Sequence, residues 1–393
     1  MDNLLLDLTV TAHTSARTGI QRVALSLATT LTRRIVTTPV TYDPYEEDWR
    51  TLRPWERHNL TSSAKSWSRS ARWPWNQKLL GTLRRVANTR HSPWPENAGL
   101  IAPESFAVSN PPDFPRLFSR IKGPKVAIFH DAIPLKLPAL TPPATTARFP
   151  AYLQNLLQFD GVAADSEESC QSLLDYWRWA GWTDHPPVVA MPLGIDLPPP
   201  ADEQPANANR RAQILSVGSL EGRKNHTALL AACETLWAED LDFELHLIGL
   251  TQSQTGRAAA EQLRRLQASG RPLVYHGAVN DDFLNKAYAS CTFTVYPSLM
   301  EGFGLPVLES LARGKPCVCL GHGALGESAR GGGCLALPDV TAPTLAGAIR
   351  ELLTAPATLQ HLEAEARARC FRTWADYTDD LLGWMGTLTR RSS

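Results

Sequence analysis

The stretch from Tyr296 to Gly314, YPSLMEGFGLPVLESLARG, constrains the fold of this chain more than any other part. An apolar run at 293–295 precedes it, a Gly-x-Gly turn lies in its middle, and Pro306 stands where a helix should begin. Proline suits the first helical position because its missing N–H would have no intrahelical partner there. The pattern therefore predicts a buried strand, a tight loop and a helix, which is the repeating unit of open α/β sheets.

The same stretch carries groups suited to a phosphorylated, hydroxyl-rich ligand. Glycines let the backbone approach a ligand closely, and the free N–H groups at a helix start favour an anion. Glu301 precedes the turn, and we expect Glu309 in the first turn of the helix. An acidic residue in a first turn stabilises a helix by itself, but Glu301 stands outside the helix and has no such use. Phosphate together with hydroxyls indicates a nucleotide sugar.

Composition sets the limits of the fold. A chain of 393 residues argues for two domains. The net charge is zero, so bulk electrostatics indicate no partner. Seven cysteines without a Cys-x-x-Cys pair indicate reduced thiols rather than zinc or disulfides. The start, MDNLLLDLTV, lacks the basic segment of a signal peptide, and no apolar run reaches the ~18 residues of a spanning helix, so we expect a cytoplasmic protein.

The clearest linker is LPPPADEQPANANRR, which follows Asp196. It predicts an N-terminal domain over 1–195 and a C-terminal domain over 196–368, with a final helix over 369–393 that docks back on the first domain. Strand and helix patterns alternate in the second half, and continuous apolar strands are typical of sheets buried on both faces. We therefore predict α/β domains with doubly wound parallel sheets. The strands expected in the second half are 214–218, 243–248, 273–276, 293–297 and 316–320, and the helices are 225–238, 257–269, 281–290, 305–313 and 342–354.

Two strand ends in the first half carry candidate ligand groups, because ligands of parallel sheets bind beyond the carboxyl ends of the strands. A strand over 4–9 leads through a polar loop into a helix that begins near Gly19. A strand over 126–129 ends in His130 and Asp131. One glycine is also consistent with an ordinary turn, and both interpretations of Gly19 stay open here.

The first strand of the second half ends in GSLEGRKN, residues 218–225. Arg223 and Lys224 stand where a helix should begin, and cations are unfavourable at a helix N-terminus. A diphosphate would explain the pair, and an incidental basic pair is the alternative.

The segment 49–95 differs in character from the rest of the chain. It holds six of the twelve tryptophans, and residues 50–90 contain ten Lys/Arg against one acidic residue. Such a segment suits an anionic lipid surface or an acidic acceptor that stacks on aromatic rings, and single-stranded nucleic acid would use the same groups. A surface excursion whose tryptophans pack on the parent domain fits the composition equally well.

Two motifs are discounted. The G-x-G-x-x-G pattern at 321–326 is followed by Glu327, which comes too early, and by Asp339, which comes after a Gly-rich turn in a short strand and loop. The pattern also does not open the first βαβ unit of its domain, so we discount it as a dinucleotide site. Asp240 and Asp242 precede a strand and lie at the wrong sheet edge for a ligand. We expect neither a cofactor nor a metal.

Three motifs resemble the retaining glycosyltransferases of family 4. EGFGLPVLE, residues 301–309, resembles the E-x7-E signature of that family, and GSLEGRKN resembles its strand and loop with an Arg-Lys pair. The likeness is strong over 188–355 and looser over 1–33 and 124–196. TGIQRV and HDAIPL are similar to a subgroup that makes bacterial polysaccharide and lipopolysaccharide.

The resemblance implies the GT-B fold, in which two Rossmann-like domains face each other across a donor cleft and the last helix crosses back. It implies that Arg223 and Lys224 neutralise the donor diphosphate. Glu301 would contact the hydroxyls of the sugar, and Glu309 those of the ribose. The implied catalytic residues are His130, Glu301, Arg223 and Lys224. The implied donor-binding residues are Gly19, Gly218, Arg223, Lys224, Glu301, Gly302, Phe303, Gly304, Leu305 and Glu309. Those assigned to the acceptor are Thr18, Arg22 and Asp131.

The implied activity is retaining, metal-independent transfer of a hexosyl group, mannose or a deoxyhexose such as rhamnose, from a GDP-linked donor. The acceptor would be a glycan or lipid-linked glycan of a bacterial surface polysaccharide. No nucleic acid is expected, and the protein would be cytoplasmic with peripheral contact at the inner membrane. A non-catalytic glycan- or nucleotide-binding subunit, or a disaccharide synthase or phosphorylase on the same fold, are the alternatives.

Overall fold

The structure is a computed structural model that describes residues 3–14, 18–61, 73–87, 94–95, 97–104, 113–197 and 211–391. The chain forms two compact units. The first consists of Met1–Asp131, Ala147–Gly194 and Trp374–Ser393, and the second of Ala132–Thr146 and Ile195–Thr373. Most of the expected linker, 198–210, lies outside the described residues, as do 62–72 and 88–93 of the basic, Trp-rich segment.

The first unit contains a seven-stranded sheet in which all neighbours are parallel except β2 and β3. Its strands are β1 (Asn3–Asp7), β2 (Val36–Asp43), β3 (Asp48–Thr51), β4 (Gly99–Ala102), β5 (Lys125–Phe129), β6 (Gly161–Ala164) and β7 (Val188–Ala190), in the order β3-β2-β1-β4-β5-β6-β7. Helices described in this part of the chain are α1 (Gly19–Leu31), α2 (Pro54–Thr61), α3 (Trp75–Val86), α4 (Phe114–Phe118), α5 (Ile133–Lys136), α6 (Pro143–Asn155) and α7 (Glu167–Trp179). Every residue of β5 and β6 is buried, as expected for strands covered on both faces.

The second unit contains a six-stranded, fully parallel sheet. Its strands are β8 (Ala212–Val217), β9 (Phe243–Ile248), β10 (Leu273–Tyr275), β11 (Phe293–Tyr296), β12 (Cys317–Leu320) and β13 (Cys334–Leu337), in the order β10-β9-β8-β11-β12-β13. The remaining helices are α8 (His226–Ala238), α9 (Arg257–Ala268), α10 (Asp281–Ser290), α11 (Leu305–Leu311), α12 (Gly323–Ala329), α13 (Ala342–Thr354), α14 (Pro356–Ala368) and α15 (Trp374–Met385). All strands and helices predicted for this half are present, with ends that differ by two residues or fewer.

In each sheet, the direction in which successive strands are added reverses at one point. In the first sheet, β2 and β3 extend from one side of β1, and β4 then pairs with its other side. In the second sheet, β9 and β10 extend from one side of β8, and β11 pairs with its other side. Loops at the carboxyl ends of the two strands beside a reversal diverge to opposite faces, which leaves room for a ligand there.

The helix α15 belongs to the first unit. It packs on α1, where the hydroxyls of Thr30 and Thr378 are 2.7 Å apart and Arg34 donates to Asp379 at 2.7 Å. Residues Ala132–Thr146 group with the second unit although they fall inside the span 1–195, because Leu140 packs against Gly222.

Candidate functional site

The loops after β8 and β11 lie side by side, because these strands are neighbours in the sheet. The backbone N–H of Leu299 donates to the carbonyl of Arg223 at 2.8 Å and ties the loops together. This is the reversal point of the second sheet, the edge at which open α/β sheets bind ligands.

A charged cluster fills this edge. Arg223 Nη1 lies 2.8 Å from one carboxylate oxygen of Glu301, and Lys224 Nζ lies 2.6 Å from the other. Arg223 also pairs with Glu221 at 2.9 Å. The side chains of Lys224 and Glu301 are only 9% and 10% exposed, so these charges interact with little screening by water.

The protonation states of Glu301 and Lys224 depend on burial and on the neighbouring charges of the cluster. Burial alone would raise the pKa of Glu301, but Arg223 and Lys224 hold it at about 2, so the carboxylate stays ionised at every physiological pH. Burial lowers the pKa of Lys224, and Glu301 opposes that shift.

Arg223 and Lys224 do not lie in the first turn of a long helix, as the sequence suggests. Gly222–Lys224 forms a single 3-10 turn, and Asn225 adopts a left-handed conformation with φ 54° before α8 begins at His226. Asparagine tolerates this conformation better than most residues. The cations therefore precede α8 and do not lie within its first turn.

Two residues of the site were missed by the sequence analysis. The ammonium of Lys224 donates to the hydroxyl of Tyr296 and lies 4.5 Å from the centre of its ring. Burial raises the pKa of Tyr296 well above its ordinary value, so the phenol stays neutral. Ser298 is fully buried in the same loop. Their position at the carboxyl end of β11 was the available signal.

The Gly-x-Gly loop leads into α11 through a backbone conformation that glycine adopts more readily than other residues. Gly304 has φ 107°, and a Cβ there would lie 3.1 Å from the side chains of Leu325 and Ser328. Ser328 also donates to the carbonyl of Phe303 at 2.6 Å, while Gly302 and Phe303 are half-buried. The helix begins at Leu305, so the first N–H groups have no intrahelical acceptor.

The expected position of Glu309 in the first turn of its helix is wrong. Since α11 begins at Leu305, Glu309 is its fifth residue, and no acidic residue lies in the first turn. Its side chain is 4% exposed and accepts a hydrogen bond of 3.3 Å from the hydroxyl of Tyr288. Stabilisation of the helix start therefore does not explain Glu309.

We expect Gly304→Ala to destabilise the protein by about 1–3 kcal/mol, because alanine rarely adopts this φ and its methyl group meets Leu325 and Ser328. Thermal unfolding measures the effect. Gly347→Ala is the matched control: Gly347 lies inside α13 with open space around it, and alanine there should stabilise by roughly 0.5–1 kcal/mol. Equal melting temperatures for the two variants would contradict the strain expected for alanine at position 304.

In the first unit, buried titratable residues stand at or just after the carboxyl ends of five parallel strands, β1, β2, β4, β5 and β6. They are Asp7, Asp43, Glu104, His130 and Asp165. Only His130 was singled out from the sequence, because the others are scattered in sequence and meet only when the strands pair.

His130 is held by two acceptors. Nδ1 lies 2.6 Å from Asp165 Oδ2, and Nε2 lies 2.7 Å from the carbonyl of Pro103. Both ring nitrogens therefore donate, and the ring is an imidazolium. Burial lowers the pKa of His130, but Asp165 outweighs it and raises the pKa to about 9. The predicted contact of His130 with a sugar stays a prediction, and the ring would have to release Pro103 to make it. Asp131 beside it is half-buried.

The other predicted residues of this unit lie at the start of α1. Thr18 caps the helix, and its backbone N–H donates to Gln21 Oε1 at 3.2 Å. Gly19 is the first residue of α1, and a Cβ there would meet nothing within 4 Å, so packing does not require glycine. Arg22 is half-buried in the first turn. Glu104 fixes the preceding loop by accepting from the N–H of Thr11 at 2.8 Å.

Gly218 directly follows β8. Its N–H donates to the carbonyl of Ile248 at 2.8 Å. Its own carbonyl oxygen lies only 2.0 Å from the position that a Cβ on Gly249 would occupy. Since Gly249 has φ 146°, glycine is required at 249, and the two backbones pack against each other below the charged cluster.

The chain is similar in sequence to known glycosyltransferases. Residues 211–355 match the family described as glycosyl transferases group 1. The serotype-specific mannosyltransferase WbdA of Escherichia coli is 27% identical over 335 residues, which is 80% of this chain and 38% of that protein. The chain thus spans well under half the length of this relative. The O-antigen chain mannosyltransferase B of E. coli is 35% identical over 126 residues, 32% of each chain.

The fold is shared with a solved enzyme structure. Sucrose-phosphate synthase from Thermosynechococcus elongatus has a TM-score of 0.66, 18% sequence identity and 98% coverage of both chains. The prediction of a GT-B fold with two parallel-sheet α/β domains is confirmed. No helix in the described ranges is long and apolar enough to cross a bilayer.

Proposed function

We propose, from the premise that residues 211–355 belong to the group 1 glycosyl transferases, that this protein transfers a hexosyl group from a nucleotide diphosphate sugar to a glycan or lipid-linked glycan. The cluster of Arg223, Lys224 and Glu301 at the reversal point of the second sheet carries the proposal. Mannose, or a deoxyhexose such as rhamnose, is the proposed sugar, GDP the proposed carrier and bacterial surface polysaccharide the product. Both E. coli relatives are named mannosyltransferases, which supports mannose. We place the reaction in the cytoplasm.

The cluster suits a donor diphosphate through an exchange of partners. With Glu221 and Glu301 as counter-ions, the formal charges of the two cations are balanced. A diphosphate that takes over Arg223 and Lys224 would release the carboxylate of Glu301, which can then accept hydrogen bonds from sugar hydroxyls. The buried ammonium of Lys224 needs no large movement, because Tyr296 holds it. Such preorganised donors stabilise the charge that develops on a leaving phosphate.

The other residues of the loop extend this site. The N–H groups of Gly304, which caps α11, and of Leu305, its first residue, are donors suited to phosphate or sugar oxygens. The carboxylate of Glu309 is proposed to take the ribose hydroxyls. Tyr288 orients it for that purpose.

We propose retention by front-face attack. The bond between the sugar C1 and the phosphate oxygen breaks, the bond from the acceptor oxygen to C1 forms, and the acceptor proton passes to a phosphate oxygen. Glu301 as a nucleophile is the alternative, but the proposed exchange gives its carboxylate the sugar hydroxyls as hydrogen-bond donors. Glu301 therefore acts by positioning.

Calorimetric titration with GDP, UDP and dTDP in the presence of EDTA tests the donor and the absence of a metal requirement together. We expect GDP to bind without metal and Arg223→Gln to abolish binding. Arg350→Gln is the matched control, because this arginine of the same unit forms an exposed pair with Glu239.

Failure of all three nucleotides to bind would contradict the proposal. Nucleotide binding without sugar transfer to glycan or lipid-linked acceptors would instead indicate a non-catalytic subunit. Transfer to a free sugar, or to inorganic phosphate, would indicate a disaccharide synthase or a phosphorylase.

A further inference from the structure

The basic, Trp-rich segment separates into a packed part and an exposed part. Trp49 is fully buried and donates to the carbonyl of Asp113 at 2.8 Å, and Trp73 stacks on His13 at 4.1 Å. Arg50 is buried and paired with Asp43 and Glu56. For these residues, the interpretation as a packed excursion is correct.

The helix α3 behaves differently, because it presents apolar side chains to solvent. Trp75, Leu79, Leu83 and Val86 are 78%, 54%, 57% and 78% exposed. Their spacings of four, four and three residues place them in one stripe along the helix. Ten large apolar residues are exposed in the described part of the chain, and four of them lie in this stripe.

The opposite face of α3 anchors the helix to the first unit. A Cβ on Gly81 would lie 2.7 Å from Cβ of Tyr45, so the helix backbone packs directly on the turn between β2 and β3. Arg53 donates to Gln77 at 2.7 Å, and Arg84 lies 3.5 Å from Glu46. The stripe therefore points away from the unit. The turn follows the carboxyl end of β2, so α3 stands at the ligand edge of this sheet.

The charged residues of α3 and of the sequence on either side of it are all basic. The helix contains Lys78, Arg84 and Arg85 and no acidic residue, and residues 57–95 contain eight Lys/Arg and no Asp or Glu. Glu46 and Glu47 neutralise Arg84 and Arg85 at the base of the helix. Lys78 is exposed, with its ammonium 5.7 Å from the centre of the Tyr45 ring. Together with the basic sequence on either side of α3, it would attract an anionic surface.

We propose that α3 docks on an anionic lipid bilayer, with its apolar stripe at the boundary between headgroups and acyl chains. A helix with Trp and Leu on one face and only basic charges is typical of such interfacial helices, and Trp favours the headgroup level. Docking of α3 would bring the ligand edge of the first unit close to lipid-linked molecules in the bilayer. Vesicle binding is measured without donor or acceptor. A protein that does not bind vesicles would therefore contradict the docking of α3 but not the proposed transfer activity.

Co-sedimentation of the full chain with vesicles tests the proposal. We expect binding to phosphatidylglycerol/phosphatidylethanolamine vesicles and little binding to phosphatidylcholine vesicles. The variant Leu79→Gln/Leu83→Gln should lower the partition coefficient at least about tenfold, because two exposed apolar side chains no longer enter the membrane. Lys78→Glu should weaken binding at low salt more than at high salt.

The matched control is Val36→Gln/Trp179→Gln, which removes two apolar side chains elsewhere on the first unit that are even more exposed, 66% and 81%. This variant should bind vesicles as the wild type does. Equal loss in both double variants, no loss in the α3 variant, or equal binding to neutral vesicles would overturn the proposal. The proposal would also be overturned if the wild type were a dimer that does not bind vesicles and if Leu79→Gln/Leu83→Gln dissociated that dimer. A second copy of the chain would then cover the stripe.

Discussion

Lys224→Met is expected to lower kcat of sugar transfer about a hundred- to a thousandfold, the usual cost of removing one preorganised charge donor from a developing anion. The ammonium lies between Glu301 and Tyr296 in a nearly water-free position, so no solvent cation replaces it. Steady-state kinetics with the donor identified by calorimetry, together with thermal unfolding, measure the effect.

Loss of Lys224 also leaves Glu301 with one cation fewer, so a folding defect has to be separated from a catalytic one. The double variant Lys224→Met/Glu301→Gln removes the ammonium and the carboxylate charge together, and we expect it to melt closer to the wild type while its activity stays low. Arg350→Gln should keep full activity. Near-normal turnover of Lys224→Met would contradict the diphosphate assignment.

Asp165→Asn is expected to have the largest effect on stability. Removing one partner of a buried ion pair costs about 3–5 kcal/mol, because the remaining charge stays buried and unpaired. In this variant the amide oxygen of asparagine can still accept from His130 Nδ1, but the negative charge that balances the buried imidazolium is gone. Urea unfolding at pH 6.5 measures the loss. Asp175→Asn, at an exposed pair with Arg178 in the same unit, should change stability by less than about 1 kcal/mol.

The pH dependence of this effect follows from the pKa of His130, which is raised from 6.5 to about 9 in the folded protein. The folded state binds the proton more tightly than the unfolded state, so the ion pair stabilises fully below about pH 6.5 and its contribution disappears as pH rises through 9. The difference in free energy of unfolding between wild type and Asp165→Asn should therefore shrink by about 3 kcal/mol between pH 6.5 and 9.5. A difference that stays constant over this range would show that His130 is not charged.

The local patterns of the sequence determined most elements of the second unit, although β13, α12 and α14 were not among those predicted. The apolar run, the Gly-x-Gly turn and Pro306 predict β11, its loop and α11, because strand and helix preferences depend on neighbours within a few residues. Ser166 caps α7 in the same local way, because its hydroxyl accepts from the N–H of Ser169, three residues further along, at 3.1 Å. The E-x7-E spacing also pointed to Glu301 and Glu309 before any tertiary contact was known.

Tertiary structure alone decided which charges meet. Arg223 and Lys224 reach Glu301 because β8 and β11 are neighbours, and strand order is not encoded in any local period. The basic excess over 50–90 is neutralised in part by Glu46 and Glu47, which stand just outside that segment and face it only after β2 and β3 pair. Likewise, the pattern of α3 shows an apolar stripe, but only the packing of Gly81 on Tyr45 determines that the stripe faces solvent. Long-range pairing places side chains from distant segments next to each other, and electrostatic energies depend on those distances rather than on separation along the chain.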